Sequence, residues 1–351
     1  MMNLSQIGIR SFLSGLLLLL ASLCVSSCAG IQTSINPAGP QADQISRLWW
    51  LMFSVCTGVF VLVMIFTLLA IKRGHGYSQE PTRAPDLDPA LSAEQRKRNV
   101  VIGAIIVTTL ILFVFLIASF KVGRSMTSEL ANKNGLTIEI TGHQWWWEVR
   151  YMDPSASNVF TTANEIHIPT GVPVTFSLRA NDVIHSFWVP NLSGKKDLIP
   201  GKIATIWLQA DRPGVYRGQC AEYCGLQHAH MALWIVAEPQ EQFDSWRQNQ
   251  TRTAIQAVTS SEQRGQQVFL SSTCVMCHAV NGTPAGSNFG PNLTHIASRS
   301  MIAAATLPNT RDHLVQWVTD SQAIKPGNKM PQNNLSAEDL NALLDYLGSL
   351  K

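Results

Sequence analysis

Apolar residues are unevenly spread along the chain. Three long runs near the N-terminus give way to short alternating runs and then to a polar, helix-spaced C-terminal stretch. The first run, Ser11–Val25, follows Arg10 and has the size of a signal-peptide core. The next two, Leu48–Ile71 and Val100–Phe120, contain no charged residue, and each is long enough to cross a hydrocarbon core of about 30 Å. They predict a two-helix transmembrane hairpin over residues 48–120. Between residues 121 and 240 the pattern shortens to strand-like runs at Leu136–Ile140, Val172–Leu178, Ile203–Gln209 and Met231–Val236, with turns at Pro200-Gly201 and Pro213-Gly214. Such spacing predicts an all-β sandwich or barrel. A hinge at Glu238-Pro239 opens a polar, Gln-rich linker over residues 241–258. Thr259-Ser260-Ser261-Glu262 then reads as a capping box for a helix over Ser261–Leu270. A last helix starts at Ser336, carries Glu338 and Asp339 in its first turn, and aligns Leu340, Leu343, Leu344 and Leu347 on one stripe. Residues 259–351 are therefore expected to form an all-α domain, and the whole a multidomain membrane protein.

Charge sets the orientation. The loop between the two spans carries Lys72, Arg73, Arg83, Arg96, Lys97 and Arg98 against Glu80, Asp86, Asp88 and Glu94, with the basic groups close to both membrane ends. That asymmetry places the loop in the cytoplasm and everything after Lys121 outside, in a periplasm or its equivalent beyond a bacterial inner membrane. The net charge of +3 over 351 residues is too weak to argue for nucleic acid. Val25-Ser26-Ser27-Cys28 resembles the bacterial lipoprotein box, in which the cysteine is lipidated and becomes the mature N-terminus; cleavage near Ala29 or an uncleaved helix are the alternatives for residues 1–28.

The cysteines locate the chemistry. Of seven, four lie in two motifs: Cys220-Ala221-Glu222-Tyr223-Cys224 followed by His228, His230 and Met231, and Cys274-Val275-Met276-Cys277-His278. The first offers two thiolates, imidazole and thioether, a soft set that favours copper. Structural zinc would have no use for Met231. Two cysteines four apart on one loop can bridge two coppers, and His185, read as closing an apolar strand upstream, is the candidate ligand from outside the loop. His230, His143, His167 and His75 read as structural or exposed. The second motif reads as a covalent c-type haem attachment, with Cys274 and Cys277 forming thioethers and His278 the proximal iron ligand; its place in an exported, helix-rich segment favours this over a redox Cys-x-x-Cys pair. Both centres move single electrons.

Gly142-His143-Gln144-Trp145-Trp146-Trp147, Asp182-Val183-Ile184-His185-Ser186, Asp197-Leu198-Ile199-Pro200-Gly201 and the cysteine loop resemble successive signatures of cytochrome c oxidase subunit II, over about residues 48–240. The resemblance implies a cupredoxin-like domain holding the dinuclear copper A centre. On it, Cys220 and Cys224 bridge both coppers, His185 and Met231 complete one, and His228 with the Glu222 carbonyl completes the other. It further implies that the Glu222 side chain contributes to a magnesium site facing subunit I, and that Trp145 lies where electrons arrive, against a reading of Trp145–Trp147 as core packing. Lys325-Pro326-Gly327-Asn328-Lys329-Met330-Pro331 resembles the methionine loop of small class I cytochromes c, making Met330 the distal ligand with His295 and His313 as competitors. Phe289-Gly290-Pro291-Asn292-Leu293 matches the loop after the haem motif in those proteins. Six basic residues balance six acidic ones from Thr259 onward, as suits a tethered cytochrome with no need of a basic docking face.

The match departs from the family at two points. The glutamate, tryptophan and proline that commonly begin the second membrane helix are replaced by Arg96-Lys97-Arg98-Asn99-Val100, with Glu94 as a stand-in. Lys202 stands where an arginine is usual, and lysine cannot make the same bidentate contact. The implied function is electron transfer from a periplasmic donor, a cytochrome c or a quinol-oxidising complex, through haem c and copper A to the oxygen-reducing subunit I. Further membrane subunits and membrane lipid complete the expected partners. A copper A-containing nitric oxide reductase subunit is the nearest alternative, and a copper storage or assembly protein the alternative of another class. Quinol oxidase subunits lack the copper ligands.

Overall fold

The computed structural model describes residues 30–74, 91–127 and 135–351. Cys28 and its leader, His75, and the loop residues Glu80, Arg83, Asp86 and Asp88 lie outside the described residues. The chain divides into two compact units, one of residues 44–128 and the other comprising the rest.

The apolar runs form α1 (Pro40–Gly74) and α2 (Leu91–Thr127), each extending beyond its uncharged stretch at both ends. Asp43 in the first turn of α1 and Lys72 and Arg73 in its last have the signs that suit the helix dipole. Leu62, Phe66, Leu110 and Leu116 are all well exposed, as befits side chains whose solvent is lipid. Both helices are long and apolar enough to cross a membrane.

The middle of the chain folds into two five-stranded sheets. One is ordered β3-β2-β1-β5-β8, from β1 (Thr137–His143), β2 (Trp146–Met152), β3 (Phe160–Ala163), β5 (Val174–Ala180) and β8 (Ala204–Leu208). The other is β4-β10-β9-β6-β7, from β4 (Glu165–Pro169), β6 (His185–Trp188), β7 (Lys196–Leu198), β9 (Gly214–Cys220) and β10 (Ala232–Glu238). Strict alternation drives the packing: Ile138 and Ile140 of β1, Trp147, Val149 and Tyr151 of β2, and Val174, Phe176 and Leu178 of β5 all turn inward and are fully buried. They meet Ile166, Ile168, Phe187 and Ile235 from the other sheet, a cupredoxin-like sandwich. His185 opens β6 rather than closing a strand as its sequence setting suggests, because Asp182 bends the chain just before it and accepts from the Val183 N–H at 2.8 Å. The antiparallel pair β9–β10 leaves residues 221–231 as the loop between them.

The polar segment after Pro239 is not an open linker. It forms α3 (Gln240–Gln250), whose Phe243 is buried and whose Trp246 stacks on His167 with ring centroids 4.1 Å apart. Two aromatic residues three apart supply all the apolar face this helix needs, too little to register against its glutamines.

The C-terminal part is helical, with α4 (Ser260–Ser271), α5 (Arg311–Thr319), the short α6 (Ser321–Ile324) and α7 (Ala337–Ser349), plus one two-stranded ribbon of β11 (Met301–Ile302) and β12 (Leu307–Pro308). The capping box at Thr259 and Glu262 is formed in both directions. Helices α4 and α7 cross at Gly265, where a Cβ would lie 2.0 Å from the Ala342 carbonyl oxygen. Only glycine permits that approach. Phe269, Leu343, Tyr346 and Leu347 fill the core beside the crossing, with Leu340 only partly buried.

Candidate copper and haem centres

The loop between β9 and β10 folds back on the end of β6 and gathers soft ligands. The two thiols lie with Cys220 Sγ 3.7 Å from Cys224 Sγ, and both are buried. His185 Nδ1 stands 3.9 Å from Cys220 Sγ, and His228 Nδ1 stands 3.6 Å from Cys224 Sγ. Met231 Sδ is 3.8 Å from Cys224 Sγ, and the Glu222 carbonyl oxygen is 3.2 Å from Cys220 Sγ. His185, Cys220 and Cys224 place their ligand atoms within 4.8 Å of one another, all buried. Hydrogen bonding with Cys224, chiefly, and with His185 and the backbone at Ser186 and Glu222, lowers the Cys220 pKa against the raising effect of burial. The same contact, together with burial, pushes Cys224 up. Two thiolates this close repel one another in a low-dielectric site, so one sulfur keeps its proton unless cations lie between them; with imidazole and thioether beside it, the donor set fits copper.

The shell around this cluster fixes its geometry. Asp182 accepts from His185 Nε2 at 2.8 Å and so aims Nδ1 at the sulfurs. Burial alone would raise the Asp182 pKa, but bonds from His185 and from the N–H groups of Gln144 and Val183 hold it at about 2. Asp182 is three residues ahead of the histidine, within a motif whose sequence gave it no role. Gly142 leaves room for the imidazole: a Cβ there would lie 2.7 Å from His185 Cδ2. Trp145 Nε1 and Gln144 Nε2 both donate to the Cys224 carbonyl, at 2.9 and 2.8 Å.

The other sequence candidates separate cleanly. The Glu222 side chain is exposed, and its Oε1 accepts from Tyr223 N–H at 3.3 Å. His228–His230 is a single 3-10 turn rather than extended strand, and His230 is exposed with Nδ1 2.7 Å from Gln227 Oε1. His143 stacks on Trp146, and His167 lies between Glu165 and Glu238. The tryptophan run splits three ways: Trp145 reaches the Cys224 carbonyl, Trp146 covers His143, and Trp147 is wholly inside the sandwich.

A largely apolar cavity in the helical part is lined by Cys274, Cys277, His278, Phe289, Pro291, Leu343 and Met330. His278 Nδ1 donates to the Pro291 carbonyl at 2.7 Å, which leaves Nε2 free to bind a metal. Burial lowers the His278 pKa, favouring the neutral, ligating form. The Met330 backbone is held by its N–H to Asn328 Oδ1 and by Ser321 and Gln322 donating to its carbonyl. His295 is occupied at both nitrogens by the carbonyls of Lys351 and Arg252, and His313 by Thr310; neither lines the cavity. Arg299 does line it, and its Nε is buried without a hydrogen-bond partner. An apolar slot with two thiols, a free imidazole nitrogen, a thioether and one guanidinium N–H without a partner fits haem with its carboxylates.

The family model of cytochrome c oxidase subunit II, periplasmic domain, matches residues 152–238, and that of cytochrome c matches residues 262–351. These matches imply copper and haem binding. The periplasmic domain of subunit II of cytochrome oxidase from Bradyrhizobium japonicum is 31% identical, with a TM-score of 0.32, covering 34% of this chain and 96% of that one. A cytochrome c oxidase subunit 2 from Bacillus sp. is 33% identical over 248 residues, covering 67% of this chain and 68% of the relative. Another, from Alkalihalophilus pseudofirmus, is 34% identical over 335 residues, 94% of each chain. With that identity sustained from the membrane helices to the haem motif, the chain belongs to the cytochrome c oxidase subunit 2 family.

Proposed function

We propose that this chain is the subunit through which electrons enter a haem-copper terminal oxidase of a bacterial inner membrane, with its metal domains on the periplasmic side. Its copper would be the dinuclear copper A centre, held by Cys220 and Cys224 as bridges, by His185 and Met231 on one side, and by His228 and the Glu222 carbonyl on the other. Its haem would be a haem c joined through Cys274 and Cys277, with His278 and Met330 as axial ligands. When bound, these groups carry one electron at a time from a periplasmic donor to copper and on to the oxygen-reducing subunit I. The protein's part is to hold and shield them. Asp182 orients His185, burial of Cys220 and Cys224 excludes water, and Trp145 bridges from the haem cavity to the Cys224 carbonyl as the conduit between centres. The exposed Glu222 side chain is available to a magnesium ion at the face toward subunit I. Residues 1–28 would be a lipoprotein-type leader ending at Cys28, residues 48–120 the membrane hairpin, 121–240 the copper domain, 241–258 the connection and 259–351 the cytochrome domain.

The observation that supports this reading best is the convergence of two thiols, two imidazole nitrogens, one thioether and one carbonyl, each within 3.9 Å of a cysteine sulfur. A storage protein has no need of the haem cavity beside it. The test uses the native complex isolated through this chain and supplied with a reductant for haem c. Fast oxygen uptake with little nitric oxide consumption supports the terminal oxidase. The reverse assigns the chain to a nitric oxide reductase, and consumption of neither overturns the electron-transfer role.

A further inference from the structure

The Lys325 side chain is buried, with 2% of its surface exposed, although it belongs to the cytochrome part and carries an ammonium group. Its Nζ donates to three backbone carbonyls: His230 at 2.8 Å, Trp145 at 2.9 Å and Ala303 at 3.2 Å. An ammonium has three donors, and here each has an acceptor. Two of the acceptors lie on the copper domain, beside the copper loop. Trp145 is the residue whose indole binds the Cys224 carbonyl, and His230 immediately precedes Met231.

The third acceptor shows that the contact is built in. Ala303, Ala304 and Ala305, the turn between β11 and β12, have φ of 54°, 58° and 55°, a left-handed conformation that L side chains rarely adopt. This strained turn faces the copper domain, where the Ala304 carbonyl accepts from Ala232 N–H, while the Ala303 carbonyl accepts from Lys325 within the cytochrome part. Gln227 Nε2 donates to the Pro326 carbonyl at 2.7 Å, and the buried Glu165 carboxylate accepts from Ser300 N–H at 2.9 Å. Lys325 itself is anchored at both ends of its residue, by Lys325 N–H to Ser321 O and by Asn328 to Lys325 O.

We infer that Lys325 is a positioning residue that locks the cytochrome domain into one fixed seat on the copper domain, holding the Met330 loop against Trp145. The domain is then no swinging tether; its distance from the copper loop is set by this pin. The consequence for electron transfer rests on the function proposed above, whereas the seat itself does not.

The test uses the full chain in its native complex, as wild type and as Lys325→Met, which keeps the length of the side chain and removes its donors. Hydrogen exchange is read at Ala232 and Ser300, whose amides bond across the interface, with Ile235 inside the β9–β10 pair as control. In wild type both interface amides are protected. In Lys325→Met they exchange faster by roughly tenfold or more, the factor expected from losing hydrogen bonds to a charged donor, while Ile235 is unchanged. Reoxidation of haem c by copper slows by a similar factor, while direct reduction of copper by a small reductant is unaffected. Lys325→Gln, with two donors, falls between, and it replaces the methionine variant if that one fails to fold. Wild-type protection at Ala232 and Ser300 in a folded variant would overturn the proposal, and an unchanged haem-to-copper rate would overturn its consequence for electron transfer. If wild type shows no copper signal, the electron-transfer reading fails, and hydrogen exchange alone decides the seat.

Discussion

Replacing Gly142 by alanine tests whether the copper geometry depends on the backbone beside His185. The new Cβ would sit 2.7 Å from His185 Cδ2 and 3.0 Å from Cγ. Ordinary carbon contacts are about 3.5–4.0 Å, so the ring must retreat by about 1 Å. It has nowhere easy to go. His185 is fully buried, tied to Asp182 at 2.8 Å, with Cys220 Sγ 3.9 Å from its Nδ1 and the Trp147 ring on another side. Overpacking of this kind costs about 1–3 kcal/mol of stability. The effect on the metal is larger in proportion, because ligand distances hold to within about 0.2 Å in a working site. We expect copper affinity to fall by roughly tenfold to a hundredfold or more, the range seen when a ligand's support is lost. Chelator competition followed by optical and electron paramagnetic resonance spectra reads the affinity and the mixed-valence signal. Thermal melting of metal-free protein reads the fold separately. A normal mixed-valence spectrum with wild-type affinity would refute the argument that Gly142 makes room for the ligand.

Cys220→Ser should abolish the shared-electron copper signal while haem stays attached; retention of that signal would remove Cys220 from the bridge. Met330→Ala should change the haem spectrum and lower its potential, as expected on losing a thioether ligand, and an unchanged spectrum would exclude Met330 as the axial ligand. Burial alone would lower the His167 pKa, but hydrogen bonds to Glu165 and Glu238 outweigh it and raise it above 6.5. That stabilisation is fully present below about pH 6.5 and is lost as pH rises through the folded value. Melting temperature should therefore fall with pH above this point in wild type and less in His167→Gln; identical profiles would show that the cluster contributes nothing. Gly265→Ala should destabilise the cytochrome part by about 1–3 kcal/mol in denaturant melts, since its Cβ would lie 2.0 Å from the Ala342 carbonyl oxygen.

Most of the architecture is legible in the sequence because it follows from short-range rules. Uncharged runs mark α1 and α2, alternation marks β1, β5 and β10, and the pairing of Thr259 with Glu262 marks the start of α4. The candidate ligands are legible because metal chemistry restricts residue type and spacing: Cys220, Cys224, His228 and Met231 share one stretch, and Cys220 closes β9 at the mouth of its loop. What sequence conceals is support from a distance. Asp182 acts through a bend that makes His185 the first residue of β6 instead of the last of another strand. Helix α3 hides its two aromatic contacts among glutamines. Lys325 looks like an ordinary surface lysine in a methionine loop, and only its three acceptors, far away in sequence, reveal why it is buried. Trp145, Trp146 and Trp147 are adjacent in sequence yet have three different surroundings, which no local pattern distinguishes.

The central claim is that electrons pass through the haem site to the copper loop. Its most direct test mixes the oxidised native complex with less than one equivalent of a donor to haem c and follows the haem and copper absorption bands by stopped flow. The account predicts that haem is reduced first and then reoxidised in step with loss of the copper band, before any change in subunit I. Copper reduced with no preceding haem phase, or haem that stays reduced while copper remains oxidised, would contradict it.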